Sequence, residues 1–138
     1  MKLNGIERPE ILFKDKGHVD LFFYGLQRCN NYDARHQAVF YCLGIDQGIR
    51  EHLSDVFDFL NDTLMPEAMS CEWMSDVGKR CIWMAACLFD DMPVGMHGND
   101  EGYSLDIFCC EYGPYFWEAI KLRYPDYCRR YIGGLTGC

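Results

Sequence analysis

The spacing of apolar residues along this chain predicts α-helices and almost no strand. The clearest example lies between about residues 32 and 43, where apolar and aromatic positions follow the i, i+4, i+7, i+8, i+11 order of one helical face: Tyr32, His36, Val39, Phe40 and Leu43. Alternation with a period of two residues, typical of a half-buried strand, is almost absent. We therefore predict an all-α fold, a compact single-domain bundle of about five to seven helices over residues 1–138.

Start and stop residues set the predicted helix boundaries. Asn30, Gly44 and Pro125 end helices, whereas Asp46 and either Ser75 or Asp76 are suited to begin them. The predicted helices cover residues 18–29, 32–43, 46–60, a short helix that begins at Pro66, 75–89 and 115–124. Residues 1–17 are predicted as a polar lead-in, 90–102 as a long loop and 129–138 as a frayed tail, while 105–110 is too short to assign.

The third predicted helix has the clearest core positions. Its apolar stripe is Ile49, Leu53, Val56, Phe57 and Leu60. We expect Leu53 and Phe57 to lie in the core.

The nine cysteines do not follow a disulfide or zinc-finger pattern. Their spacing is irregular and no CxxC pair occurs. Cys42, Cys81 and Cys87 lie in apolar helical patterns, which predicts buried thiols, with zinc ligation by a subset as the alternative. Cys109, Cys110 and the terminal Cys138 are predicted to be the most reactive.

Two histidine–aspartate pairs form the sharpest local pattern. Asp33-x-x-His36 on the second predicted helix mirrors His52-x-x-Asp55 on the third. If these helices fold back as an antiparallel hairpin, both histidines point inward, and two imidazoles with two carboxylates form a ligand set that suits zinc, manganese or iron. We predict zinc first. Structural histidine–carboxylate pairs and acid–base catalysis are the alternatives.

The charge distribution indicates a class of partner. The net charge is −8, and residues 51–120 contain fourteen acidic and only two basic residues, Lys79 and Arg80. Such a field attracts basic partners and repels nucleic acid and anionic membrane. The residues predicted to bind a partner are Asp55, Asp58, Asp62, Glu67, Glu72, Asp76, Asp90 and Asp91.

Other features predict no specific chemistry. No P-loop, GxGxxG, GxSxG or HExxH motif occurs. His97 lies in the glycine-rich loop and is expected to be exposed, and the aromatic residues of 112–124 are better explained by core packing than by base stacking. No apolar run approaches the ~20 residues of a membrane helix, and the amino terminus lacks a secretory apolar region, so we expect a cytoplasmic protein.

Several stretches resemble an uncharacterised family, a domain of unknown function in small acidic proteins of gut Firmicutes and their mobile elements. They are YDARHQAVFYCLGI at 32–45, REHLSDVFDF at 50–59, LMPEAM at 64–69 and YGPYFWEAIKLRYPDYC at 112–128. The resemblance implies no activity and no verified site, but it places His36, His52 and Asp55 in family-like segments. In character it is similar to anti-CRISPR and anti-restriction proteins.

Two functional hypotheses follow. The first is a non-enzymatic acidic protein that binds and inhibits a basic nucleic-acid-handling partner, with a CRISPR effector nuclease as the favoured target and no direct binding of nucleic acid or membrane. The second is a zinc-binding helical domain with a structural or catalytic metal between the second and third helices. A cofactor-free enzyme is a third, weaker alternative.

Overall fold

A computed structural model describes residues 2, 3, 6, 7, 10–90 and 105–128. These residues form seven α-helices: α1 (Lys16–Cys29), α2 (Ala34–Ile45), α3 (Gln47–Glu51), α4 (Leu53–Val56), α5 (Asp76–Asp90), α6 (Gly113–Arg123) and α7 (Pro125–Cys128). Two 3₁₀ helices lie at Pro66–Ser70 and Leu105–Phe108. The predicted all-α class is confirmed.

The β-structure in the described residues is limited to two short antiparallel ribbons. In the first, β1 (Lys2–Leu3) pairs with β2 (Ile6–Glu7). In the second, β3 (Phe57–Asp58) pairs with β4 (Thr63–Leu64), with Phe57 opposite Leu64. The first ribbon lies within the predicted polar lead-in. In the second ribbon, β3 lies within the predicted helix 46–60, and β4 follows the end of that helix.

Helix α2 is the centre of the fold. It packs against α1, α5 and α6, and every residue from His36 to Ile45 is buried. A helix covered on several sides has no solvated face, so its apolar residues extend beyond one stripe. The predicted face of α2 was therefore only part of its buried surface.

Helices α1 and α2 approach closely at Gly25. A Cβ atom at this position would lie 2.3 Å from the ring of Phe40, which is too close for any side chain. Phe40 is fully buried and its ring also contacts Phe57 and Phe59. The absence of a side chain at Gly25 thus permits this close approach of the two helices.

The third predicted helix is shorter than expected, and this prediction was wrong beyond position 56. Helix α3 ends at Glu51, α4 ends at Val56, and the chain then enters β3. Phe57 is in the core as predicted, but Leu53 is only half-buried and Leu60 is 91% exposed.

The Asp58 side chain explains where the helix stops. Its carboxylate accepts hydrogen bonds from the backbone N–H groups of Leu60 and Asn61, at 3.0 and 3.2 Å, and from the Asn61 amide at 2.7 Å. These contacts satisfy backbone donors locally and so compete with a continuing helix. The side-chain hydrogen bond from Asn61, with the backbone bonds, also lowers the pKa of Asp58.

Burial is confirmed for two of the three cysteines predicted to be buried, and the predicted reactivity of Cys109 and of the half-buried Cys110 stays a prediction. Cys42 and Cys81 are fully buried, Cys87 is half-buried and Cys109 is exposed. Burial raises the pKa of the Cys42 and Cys81 thiols. The predictions for Asp91, His97 and Cys138 lie outside the described residues. Within the described part of the chain, no helix is long and apolar enough to span a membrane.

Candidate metal centre

Three chemically distinct ligand groups meet where α1 ends, α2 begins and the second ribbon turns. They are the thiol of Cys29, the imidazole of His36 and the carboxylate of Asp62, and one ligand atom from each lies within 4.8 Å of the others. Cys29 is the last residue of α1, and Asp62 lies in the turn that joins β3 to β4. Three separate elements therefore build the site.

The connection between α1 and α2 is a short, well-bonded turn. Asn30 ends α1 in the left-handed conformation, with φ 52° and ψ 42°, and its N–H donates to the Gln27 carbonyl at 3.1 Å. The Asn31 N–H donates to the carbonyl of Leu26 at 3.2 Å. This pattern of bonds from beyond the helix end is typical of a Schellman C-cap, and it fixes Cys29 relative to α2.

Asp33 has two roles at the start of α2. Its Oδ1 accepts the His36 backbone N–H at 2.9 Å, which caps the helix, and lies 2.8 Å from Nδ1 of the His36 ring. Partial burial raises the pKa of the Asp33 carboxyl, but the hydrogen bonds from His36 outweigh burial and the pKa lies below its usual value. Asp33 is thus an anion that orients the His36 ring.

The other ring nitrogen of His36 faces Asp62. Nε2 lies 2.9 Å from Oδ1 and 3.1 Å from Oδ2 of that carboxylate. The His36 side chain is 3% exposed, whereas that of Asp62 is 51% exposed, so the site opens to solvent on the Asp62 side. Asp62 has a positive φ of 55°, a conformation that aspartate tolerates better than most residues.

The thiol of Cys29 completes the group. Its Sγ lies 3.7 Å from Oδ1 of Asp62, at the distance of a weak hydrogen bond to sulfur. Burial, together with the nearby Asp62 charge, raises the pKa of Cys29 to about 11. Without a cation the thiol is therefore protonated at neutral pH and donates to Asp62.

The spacing of these atoms fits a tetrahedral zinc ion. Bond lengths of about 2.0 Å to nitrogen or oxygen and about 2.3 Å to sulfur separate neighbouring ligands by roughly 3.3–3.5 Å. The observed separations of Asp62 from His36 and Cys29 are 2.9 and 3.7 Å, and all three ligand atoms lie within 4.8 Å of one another, so side-chain adjustment would bring them to zinc-binding distances. The carboxylate of Asp33 on the far ring nitrogen supplies the second interaction that metal-binding histidines usually make.

Of the four residues predicted as metal ligands, one lies in this group of possible ligands and one contacts it. His36 belongs to the group and Asp33 holds its ring, but His52 and Asp55 are not grouped with them. The His52 ring stacks on Trp73 with a centroid distance of 4.1 Å, and its Nδ1 lies 2.9 Å from the Gly48 carbonyl. Because α3 ends at Glu51 and α4 begins at Leu53, with Asp55 exposed, the predicted face-to-face helical register does not form.

Cys29 and Asp62 were not predicted as ligands, since they are separated by 33 residues and share no motif. The available signals were local. Asn30-Asn31 marks the helix end beside Cys29, and the run from Asp58 to Asp62 is rich in turn-forming residues.

The predicted partner-binding acids have mixed environments. Asp55, Glu67, Glu72 and Asp76 are exposed, and none forms an ion pair with lysine or arginine in the described part of the chain. Asp62 instead faces His36, Asp58 holds the ribbon turn, and Asp90 is half-buried at the end of α5 with interactions of its own.

A protein family is similar to most of this chain. The sequence model of a protein family described as a family of unknown function (DUF6075) matches residues 8–133, which include all the residues of this centre. Searches of the curated proteins and of the solved structures found no match.

Proposed function

We propose a function for this chain, which belongs to the DUF6075 family: it binds a divalent transition-metal ion, zinc first, through Cys29, His36 and Asp62. The observation that supports this most is the meeting of thiol, imidazole and carboxylate ligand atoms within 4.8 Å. Thiolate and imidazole together favour zinc over magnesium or calcium, which prefer oxygen ligands.

The number of ligands bears on what the metal does. Three protein ligands leave one tetrahedral position for water or another group, an arrangement that zinc enzymes share, whereas structural zinc sites have four protein ligands. The 51% exposure of the Asp62 side chain supports access from solvent. The metal would also deprotonate Cys29, so zinc affinity should rise with pH.

The test is the metal content of protein purified without added metal, followed by zinc titration of the stripped chain. We expect one zinc per chain, and its loss in His36→Ala and in Asp62→Asn. Asp62→Asn changes a half-exposed side chain, so it tests the site if His36→Ala fails to fold. Matched controls are His52→Ala and Cys109→Ser, which remove a histidine and a thiol outside the group.

Two results would contradict the proposal. One is zinc binding that survives in a Cys29→Ser, His36→Ala, Asp62→Asn triple variant that circular dichroism shows to be folded. The other is the absence of binding by the wild-type protein at micromolar zinc. If His52→Ala lost zinc and the other variants kept it, the result would favour a site that includes His52, as first predicted from the sequence.

A second candidate function is favoured by a different observation. Residues 51–78 contain seven acids and neither lysine nor arginine, and the elements that carry Asp55, Glu67 and Asp76 pack against one another in sequence order. These carboxylates could take the place of phosphate oxygens on a basic nucleic-acid-handling protein, with a CRISPR effector nuclease as the first target to test. Charge complementarity of this kind mainly raises the association rate.

This candidate is tested by charge reversal of Asp55, Glu67 and Asp76 to lysine. The triple variant should associate more slowly with a panel of basic nucleases. Raising the salt concentration should slow the association of the wild-type protein in the same way. A control that reverses Asp20, Glu111 and Asp126 makes the same change in net charge elsewhere. Equal loss in both triple variants would indicate a net-charge effect, and no binding by the wild-type protein would contradict the candidate.

A further inference from the structure

A groove runs between α1 and the segment that contains α4 and the second ribbon. Its volume is about 530 Å³, within the range of roughly 300–1,000 Å³ typical of small-ligand sites. Leu21 and Tyr24 of α1 line one side, and Leu53, Ser54 and Phe59 line the other. The groove is mainly apolar, and it uses none of the three residues of the proposed metal centre.

One cation at this groove is held in place without a carboxylate partner. The guanidinium carbon of Arg28 lies 4.7 Å from the centre of the Phe59 ring, and its Nη1 donates to the Tyr24 hydroxyl at 3.1 Å. No aspartate or glutamate in the described residues forms an ion pair with Arg28. A guanidinium fixed by stacking keeps further N–H donors for an oxyanion.

The other charged side chains of the groove are already engaged. Arg50 bonds to Asp15 and to the carbonyls of Gly44 and Ile45, and Asp20 bonds to the ammonium of Lys16 at 2.9 Å. Arg28 therefore determines the sign of charge that the groove accepts.

The apolar side chains supply a surface for the rest of a ligand. Tyr24 is 48% exposed and meets Phe59 edge to face at 6.0 Å, and Leu53 is half-buried. From the groove's size, its aromatic wall and the unpaired guanidinium, we infer that it binds a small organic anion with a flat apolar body and one carboxylate or phosphate group.

The test uses amide chemical shifts of the full-length chain titrated with four probes of similar size. Phenylphosphate and 3-phenylpropionate carry the anion, 3-phenylpropanol is neutral and phenethylamine is cationic. We expect the anions to shift amides in 17–28 and 50–59 and to bind about tenfold or more tightly than the alcohol, since a charge-assisted bond is lost there. A difference between the two anions would identify carboxylate or phosphate as the preferred group.

Arg28→Gln should reduce binding of the anions to the level of the alcohol, and Lys121→Gln, a cation on α6 paired with Glu118, should not. Ser54→Glu places a carboxylate in the groove at an exposed position and should also reject the anions, which keeps the test valid if Arg28→Gln misfolds. Equal binding of anion and alcohol, shifts outside these segments, or no binding by any probe would overturn the inference.

Discussion

Two histidines are buried in the part of the chain that the structure describes, and their surroundings differ completely. His18 on α1 is fully buried, its Nδ1 accepts the Lys14 backbone N–H at 3.1 Å, and its Nε2 lies 2.8 Å from the Tyr41 carbonyl. His36 is equally shielded, but its two nitrogens face the carboxylates of Asp33 and Asp62. Both rings have two polar partners, yet the charges of those partners are different.

This difference favours a structural role for His18 and supports His36 as a ligand of the proposed metal centre. The neutral partners of His18 need one proton on Nε2 and none on Nδ1, and burial lowers its pKa to about 4. The two anions around His36 attract a cation, and the thiol of Cys29 lies beside them. Burial alone therefore does not distinguish the two histidines, and the charge of their partners is the reason for proposing His36 as the ligand.

The largest effect on the free energy of unfolding is expected near His36, at Phe57. Its ring is 1% exposed and lies 4.9 Å from Phe40 and 5.7 Å from Phe89, whose ring contacts His36. Phe57→Ala should cost about 3–5 kcal/mol. Leu53→Ala should cost less because Leu53 is half-buried, and equal losses in urea unfolding would contradict the described end of α4.

The second-largest effect expected is a loss of stability at acidic pH, which we attribute to His18. Its folded pKa of about 4 lies below the unfolded value of 6.5, so the unfolded chain takes up the proton first and stability falls as pH drops from 6.5 to 4. The loss is about 3 kcal/mol for the full shift. Urea unfolding of wild type and His18→Gln between pH 7 and 4.5 checks this.

The variant should show a flatter pH profile, even if it is less stable at pH 7. Carboxyls whose pKa is lowered, such as Asp33, lose their contribution only as pH falls below the ordinary value of 3.8. An unchanged slope in His18→Gln would assign the pH dependence to another group.

A smaller effect is expected from Asp33→Asn. Asparagine also caps helices, so α2 should remain intact, but the negative charge behind His36 is removed. Loss of such an outer partner typically weakens metal binding by about 10–100-fold. Zinc competition with a chromophoric chelator measures this, and an unchanged affinity with native circular dichroism would limit Asp33 to capping.

The smallest effect on stability is expected from the exposed acids. Asp55→Asn, Glu67→Gln and Glu72→Gln should each change the free energy of unfolding by less than about 0.5 kcal/mol, because none forms an ion pair in the described part of the chain. Thermal unfolding of the three variants checks this. A larger loss would show that these carboxylates have structural partners.

The sequence predicted the helices whose apolar period and end residues agree. This holds for α1, α2, α5 and α6, each predicted within a few residues of its observed bounds. The prediction of secondary structure failed where a side chain binds backbone N–H groups in place of a helical carbonyl, as Asp58 does. It also failed at the ribbons, because a two-residue strand is too short to show a period. In the sequence, the dipeptide Asn4-Gly5 lies between the residues of β1 and β2 and is a hairpin signal. Pro125 begins α7 as well as following α6.

The candidate site was predicted only where its residues are neighbours in sequence. Asp33 and His36 are three residues apart, so helical spacing alone placed them together. Asp62 reaches His36 from 26 residues away through the turn between β3 and β4, which lies just beyond the helix predicted to end at Leu60. A pairing of that kind depends on tertiary packing, which no local pattern encodes.

The missing side chain at Gly25 has a consequence for the metal centre, four residues further along α1. Cys29 lies on α1 and His36 on α2, and Gly25 is one of the positions where these two helices approach closely, against Phe40. A methyl group at Gly25 would collide with the Phe40 ring and displace α1 relative to α2. The Cys29 thiol would then move relative to the His36 imidazole, although neither side chain is changed. The geometry of the proposed ligands therefore depends on the absence of a side chain at a position that contacts none of them.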